Sequence, residues 1–242
     1  QCTGYEETFA SVYRGISNSK SESFSKSINS NTMLGFGISR GYLALIPYII
    51  RTGVSEEGMA QILKDPDAKE AYAIFEEYEA LIREFPFEEL NIFAQKNEGP
   101  MPSVVIHLAG AKEGAEGYLA KVARKLSLDL VKDENGRDSL SYVREFPILA
   151  RYLDDGSILI SQGEDLASGD EISYFKNSIF SFYLNTPPVL EAASPFRMIY
   201  SMQNPKEFDE IAEKIKFKVG SSTLPVPGDP GEICFVSDFN IL

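Results

Sequence analysis

Two hairpin signals in the middle of the chain do most to restrict its fold. Asn135-Gly136 and Asp155-Gly156 each separate two runs that contain regularly placed apolar residues. Both dipeptides accept the positive φ angles of tight hairpin turns. They predict a central antiparallel β-meander with strands over 126–132, 139–146, 148–153 and 157–161.

The segments around the meander predict further strands and helices. Strand-like apolar runs cover 32–39, 90–95, 103–109 and 232–239. Ser55 and Asp65, the latter followed by Pro66, are typical residues for the start of a helix. Helical spacing of apolar residues also occurs in 4–16, after Gly110 and over 172–183. We therefore expect an α+β fold, with helices packed on a largely antiparallel sheet.

Two segments resemble one another and predict an internal duplication. Residues 102–130 and 195–219 share the order of proline, apolar strand, short turn, amphipathic helix and strand-like exit. This likeness predicts two pseudo-repeated halves, 31–132 and 133–242, within one globular body over 31–242. An N-terminal helix and a serine-rich lead, together 1–30, would precede that body.

Serine occupies every second position from Ser17 to Ser27. Such a pattern fits a flexible tether, because polar segments bury too little apolar surface to offset their ordering entropy. An edge strand with one serine face would show the same period of two. We favour the tether, since only Phe24 and Ile28 are available for burial.

The charge balance excludes one class of partner. The chain carries 23 basic and 36 acidic residues, a net charge of −13, and no basic stripe with interleaved aromatic residues. A negative surface repels nucleic-acid phosphates and anionic lipids. We expect no nucleic-acid partner, and membrane attachment only through an anchor at Cys2.

The two cysteines, Cys2 and Cys234, leave three interpretations open. In an oxidising compartment they could form a disulfide, provided that their Cβ atoms meet. Alternatively, a chain that begins Gln1-Cys2 could be a processed product that carries a lipid on Cys2, although Gln1 is not the usual small residue at that position. Thirdly, the cysteines could be unrelated.

A serine motif and a single histidine supply the catalytic candidates. Gly37-Ile38-Ser39-Arg40-Gly41 matches the G-x-S-x-G motif of a nucleophile elbow. That fold places several βα units before the serine, whereas only 38 residues precede Ser39, and His107 lies in a strand pattern instead of a loop. A simpler prediction is that the glycines at 35, 37 and 41 let the strand bend or pack closely.

No motif predicts a metal or a cofactor. One histidine and two terminal cysteines form no zinc-ligand cluster. Gly110, Gly114 and Gly117 lack the spacing of a phosphate-binding loop. The 133–138 turn resembles a calcium loop, but Arg137 stands where a ligand belongs and no bidentate glutamate follows.

The chain resembles bacterial exported proteins of unknown function that begin near a lipid-bearing cysteine and carry two related α+β halves. The resemblance rests on Cys2, the serine-rich segment, FPFEELNIF over 85–93 and YLDDGSILIS over 152–161. It implies an extracellular or cell-envelope location and no catalytic residues. We expect a non-enzymatic binding or structural protein with a protein, small-molecule or glycan ligand; the alternative is a glycosidase or serine-type hydrolase whose acidic residues converge only in the fold.

Overall fold

The structure, a computed structural model, describes residues 23–53, 55–97, 102–125, 128–132, 138–141, 148–161, 175, 178–192, 206, 210, 214, 216–226 and 234–241. The strands within these ranges are β1 (Thr32–Ser39), β2 (Phe87–Gln95), β3 (Ser103–Ala111), β4 (Asp129–Lys132), β5 (Asp138–Ser141), β6 (Ile148–Tyr152), β7 (Ile158–Ser161), β8 (Phe180–Asn185), β9 (Lys218–Val226) and β10 (Cys234–Ile241). The helices are α1 (Ser23–Ser27), α2 (Arg40–Gly53), α3 (Glu56–Ile62), α4 (Pro66–Arg83), α5 (Ala115–Lys125) and α6 (Thr186–Ala192).

The described strands form one ten-stranded sheet with the order β10-β9-β8-β1-β2-β3-β7-β6-β5-β4. Every neighbouring pair is antiparallel. The predicted α+β fold with its antiparallel sheet is confirmed, and β4 to β7 form the predicted meander. The meander is central in the chain, but in space it occupies one edge of the sheet.

Local sequence signals begin two of the helices. Ser55 Oγ accepts a hydrogen bond from Gly58 N at 3.1 Å, before α3. Asp65 Oδ1 accepts bonds from Asp67 N and Ala68 N at 2.9 and 3.3 Å, and Pro66 is the first residue of α4. These side chains satisfy amide groups that the first turn leaves unpaired, so both predicted helix starts are confirmed.

The turn between β6 and β7 is also as predicted. Gly156 has a φ angle of 79°, which residues other than glycine rarely adopt. Asp155 Oδ1 accepts a hydrogen bond from Ser157 N at 2.9 Å, and this bond between side chain and backbone stabilises the turn. The other predicted turn, Asn135-Gly136, lies outside the described residues.

The helix predicted over 172–183 is wrong where the structure describes it. Phe180–Asn185 is strand β8, which pairs with both β1 and β9. The spacing of Phe175, Ile179 and Phe182 fits a helix, but the residues from 180 onward are mostly aromatic or apolar and fit a strand equally well. Short apolar segments fit a helix and a strand equally well, and here the hydrogen bonds to a neighbouring strand on each side make the segment a strand.

The tether interpretation is wrong for the end of the serine-rich segment. Ser23–Ser27 is a helix, and Phe24, Ser25 and Ser27 are buried. Phe24 and Ile28 belong to a buried cluster with strand residues Phe93 and Val105. This part of the predicted lead therefore packs directly on the sheet.

The sheet has an apolar cluster on each face. On the face that α1 covers, here called the α1 face, Phe24 and Ile28 pack with Phe93, Leu159 and Tyr183. On the other face, here called the α5 face, Tyr118, Leu119 and Ala123 of α5 pack in one cluster with Leu108 of β3 and Ile158 of β7.

The structure leaves the predicted duplication untested. The second copy of the predicted duplication lies mostly outside the described residues, so the duplication stays a prediction. None of the six described helices has an apolar stretch of the length and purity that a membrane crossing requires.

Candidate functional site

Ser39 lies at the junction of β1 and α2 and is fully buried. Its backbone N–H donates to Ile179 O at 2.8 Å, and its Oγ accepts a long bond, 3.4 Å, from Tyr42 N. The side chain therefore occupies the position of a helix N-cap. The motif at 37–41 marks the end of a strand and the beginning of a helix.

His107 lies on β3, and its nearest hydroxyl partner is not Ser39. His107 Nδ1 is 3.4 Å from Ser27 Oγ, while Nε2 is buried and has no hydrogen-bond partner in the structure as described. Ser39 and His107 lie on strands that β2 separates, so they are roughly 10 Å apart across the sheet. The structure does not bring the two catalytic candidates together.

A buried carboxylate holds α1 on the sheet. Glu89, only 4% exposed, accepts hydrogen bonds from Ser23 N at 3.2 Å and from Ser23 Oγ at 2.6 Å. Asn91 Nδ2 donates to the same Ser23 Oγ at 2.6 Å and to Glu89 Oε2 at 3.3 Å. We call Ser23, Ser27, Glu89, Asn91 and His107 the polar clamp.

The ring of Phe24 makes the apolar contact between α1 and the sheet. Its ring stacks on Phe93 at 5.3 Å and meets Phe175 edge-on at 5.0 Å. Gly37 leaves the space for this ring, because a Cβ atom at that position would lie 2.7 Å from Phe24 Cδ2. The close-packing role predicted for the glycines of β1 is confirmed at Gly37.

Sequence reasoning missed the polar clamp, although β2 contains a signal for it. Glu89 and Asn91 lie on the same face of β2 as the fully buried Phe93. The partly exposed residues that alternate with them lie on the other face. Polar residues on the apolar face of a strand are expected to have hydrogen-bond partners when buried. The sequence does not indicate that the partners come from a serine-rich segment 66 residues earlier.

The environment of His107 predicts a pH-dependent stability. Burial lowers the pKa of His107, and the negative charges of Asp155 and Glu89 oppose that shift only in part. The unfolded chain then binds the proton more tightly, so the stability present above about pH 6.5 decreases as the pH falls toward the lower pKa of the folded state.

The free energy of unfolding should decrease below pH 6.5 by at most about 1.4 kcal/mol per pH unit. Urea titrations between pH 7.5 and 5 measure it, and the NMR titration of the imidazole C–H reports the folded pKa. His107 is the only histidine, so His107→Gln should flatten the profile in this window. An equally steep profile in the variant would contradict the assignment.

A groove of roughly 500 Å³ lies on the outer side of α5. One wall is the connection from α4 to β2, with Glu84 and Pro86, and the other is the α5 surface at Gly117, Lys121 and Arg124. Its volume is within the range of small-ligand sites. The connection and α5 therefore form a concave surface on the α5 face of the sheet.

Tyr118 fixes the floor of this groove. Its hydroxyl donates to Leu81 O at 3.2 Å, and its ring meets Phe85 and Phe87 edge-on at 5.8 and 5.9 Å. Burial, with a smaller effect from the negative charge of Glu84, raises the pKa of the phenol to about 12. Tyr118 is thus a neutral hydrogen-bond donor at neutral pH, and it ties α5 to the end of α4.

The charges around the groove are only partly paired. Lys121 and Glu84 form an ion pair across it. Glu113, just before α5, and Arg124, in its last turn, both line the groove and have no ion-pair or hydrogen-bond partner within the ranges that the structure describes. Two opposite charges are therefore available to a ligand.

The cysteine predictions stay predictions. Cys2 lies outside the described residues, and Cys234 begins β10. Where the structure describes the chain, no three His, Cys, Asp or Glu side chains are grouped as metal ligands.

Comparison with known proteins gives this chain no relative: no family model matches it, and no curated protein or solved structure shows significant similarity to it.

Proposed function

We propose that this chain is a binding protein of the cell envelope or the extracellular space and that it acts without catalysis. The groove on α5 is the observation that carries the proposal. It combines a defined concave shape with two charges that have no partner among the described residues, Glu113 and Arg124. Concave sites with a few convergent polar groups are the usual form of ligand sites.

Small residues support the same interpretation. A Cβ atom added at Gly114 or Gly117 would meet nothing within 4 Å. Glycine inside a helix is unfavourable by about 1 kcal/mol relative to alanine. Gly117 accepts that cost where a larger side chain would project into the groove, which is consistent with a surface kept open for a ligand.

Filling the groove should abolish binding without unfolding the protein. Gly117→Leu adds a side chain in open space and improves helix propensity. We expect ligands found by saturation-transfer NMR, in a panel of short peptides, oligosaccharides and organic acids, to lose their signal with this variant.

Gly53→Leu is the matched control for that experiment. Gly53 ends α2, does not line the groove and also has open space at its Cβ position. The control should keep the binding of wild type. Ligands that bind both variants equally well would contradict a binding site in the groove.

The proposed location rests on the resemblance to exported proteins, which includes FPFEELNIF over 85–93 and YLDDGSILIS over 152–161. Mass spectrometry of the protein from its native host tests it. A diacylglyceryl adduct on Cys2 or a disulfide between Cys2 and Cys234 is the expected result. Two free thiols would contradict both the lipid anchor and the disulfide.

A further inference from the structure

We propose that the groove binds an extended peptide segment that presents a basic group to Glu113 and a carboxylate to Arg124. This inference rests on the proposed binding function and adds the chemical class of the ligand. It is carried by two opposite charges that line the groove near the two ends of α5 and have no partner among the described residues.

The distance between the two charges sets the length of the ligand. Glu113 precedes α5 and Arg124 is ten positions into it, so at about 1.5 Å per residue they are roughly 15 Å apart along the helix. An extended chain advances about 3.3 Å per residue. Side chains of an extended chain alternate between its two faces, so an even number of residue steps is needed for both charged side chains to face α5. Four steps span about 13 Å, and the lengths of a lysine and a glutamate side chain cover the remaining distance.

The α5 wall of the groove suits a polypeptide backbone. Gly114, Gly117 and Ala120 carry little or no side chain, so an extended chain can approach α5 closely. The exposed Lys121–Glu84 pair, one helical turn before Arg124, supplies one donor and one acceptor for peptide C=O and N–H groups. A groove with these groups can satisfy a backbone that would otherwise lose its hydrogen bonds to water.

The same charges disfavour other ligand classes. A ligand with anionic groups only, such as a phosphorylated sugar, would be repelled by Glu113 while it pairs with Arg124. A neutral glycan would hydrogen-bond both groups through its hydroxyls but would bring no opposite charge to either. An amphoteric peptide pairs both.

Charge-matched peptides test the inference. The probes are three pentapeptides with blocked ends: Lys-Ala-Ala-Ala-Glu, the same peptide with lysine at both ends, and the same peptide with glutamate at both ends. Isothermal titration calorimetry measures their affinities at low salt. Wild type should bind the Lys/Glu peptide best, and shortening it to Lys-Ala-Glu should weaken binding.

Single charge reversals should change the preference in a defined way. Glu113→Lys leaves two positive ends, so the di-glutamate peptide should become the best ligand by about fivefold. Arg124→Glu leaves two negative ends, so the di-lysine peptide should become the best. Both positions are exposed, and unchanged thermal melting would verify that the variants are folded.

The results separate this inference from the binding function. Affinities that do not follow the reversals, or no binding of any peptide at millimolar concentration, would overturn the peptide assignment. If other ligands nevertheless lose binding with Gly117→Leu and keep it with Gly53→Leu, the binding function stands and only its ligand class is wrong. If no ligand depends on the groove, both proposals fail.

Discussion

Phe24→Ala should lower the free energy of unfolding by about 3–5 kcal/mol, the cost usual for removing a fully buried phenylalanine. The ring is 0% exposed and contacts Phe93 and Phe175 on the α1 face. Because Phe24 also holds α1 on the sheet, the loss includes the ordering of that helix. Urea unfolding, followed by circular dichroism, measures the effect.

Gly37 provides the partner for a double-mutant cycle. Gly37→Ala alone should destabilise by about 1–3 kcal/mol, since the new Cβ would lie 2.7 and 2.8 Å from Phe24 Cδ2 and Cγ. In a Phe24→Ala background the same change should cost much less, which gives a coupling of 0.5 kcal/mol or more. Gly117→Ala, where the Cβ is free, serves as the control and should be neutral or stabilising. Additive effects of the first two changes would show that Phe24 does not lie on Gly37.

Removing the carboxylate of the polar clamp should have the next largest effect. Glu89→Ala leaves the backbone N–H and the hydroxyl of Ser23 without their acceptor, and the amide of Asn91 keeps only Ser23 Oγ. Each buried group without a partner costs about 1–3 kcal/mol, so we expect a total loss of about 3 kcal/mol. Hydrogen exchange at 23–27 should accelerate more than exchange in β2, because the bonds to Ser23 are lost first.

Glu88→Ala is the matched control for this change. Glu88 is the adjacent residue on β2, but it is half-exposed and pairs with the exposed Lys112. Exposed ion pairs contribute between 0 and about 1 kcal/mol. If Glu89→Ala destabilises no more than Glu88→Ala, the polar clamp does not hold α1.

Features that depend on neighbouring residues could be predicted from the sequence. The caps at Ser55 and Asp65 and the turn at Asp155-Gly156 need only three or four consecutive residues, and each is found where it was predicted. The period-two strands of the meander are local in the same sense. These signals were sufficient for the α+β class and the antiparallel sheet.

Features that depend on distant residues could not be predicted. β8 is a strand because β1 and β9 pair with both of its edges. α1 has only five residues and no strong helix signal; it is ordered by Phe24 on Gly37 and by Ser23 on Glu89. The sequence does not show that these partners meet.

The same reason applies to the candidate site. The groove exists because the connection at Glu84–Pro86 lies beside α5, whose first residues follow about 30 positions later. Only the order of charges along 113–124 is visible in the sequence. Sequence reasoning selected Ser39 and His107 by residue type, whereas the structure uses them as a helix cap and as part of the polar clamp.

The position of β1 in the strand order has a consequence for biosynthesis. Leu34 pairs with Leu184, so the middle of the sheet is completed only after some 150 further residues have been made. Until β8 is available, one side of β1 exposes its backbone N–H and C=O groups, and such open edges promote aggregation. Fragments that end before residue 180 are therefore poor units for expression, and pairing over so long a stretch of chain makes slow folding the expected behaviour.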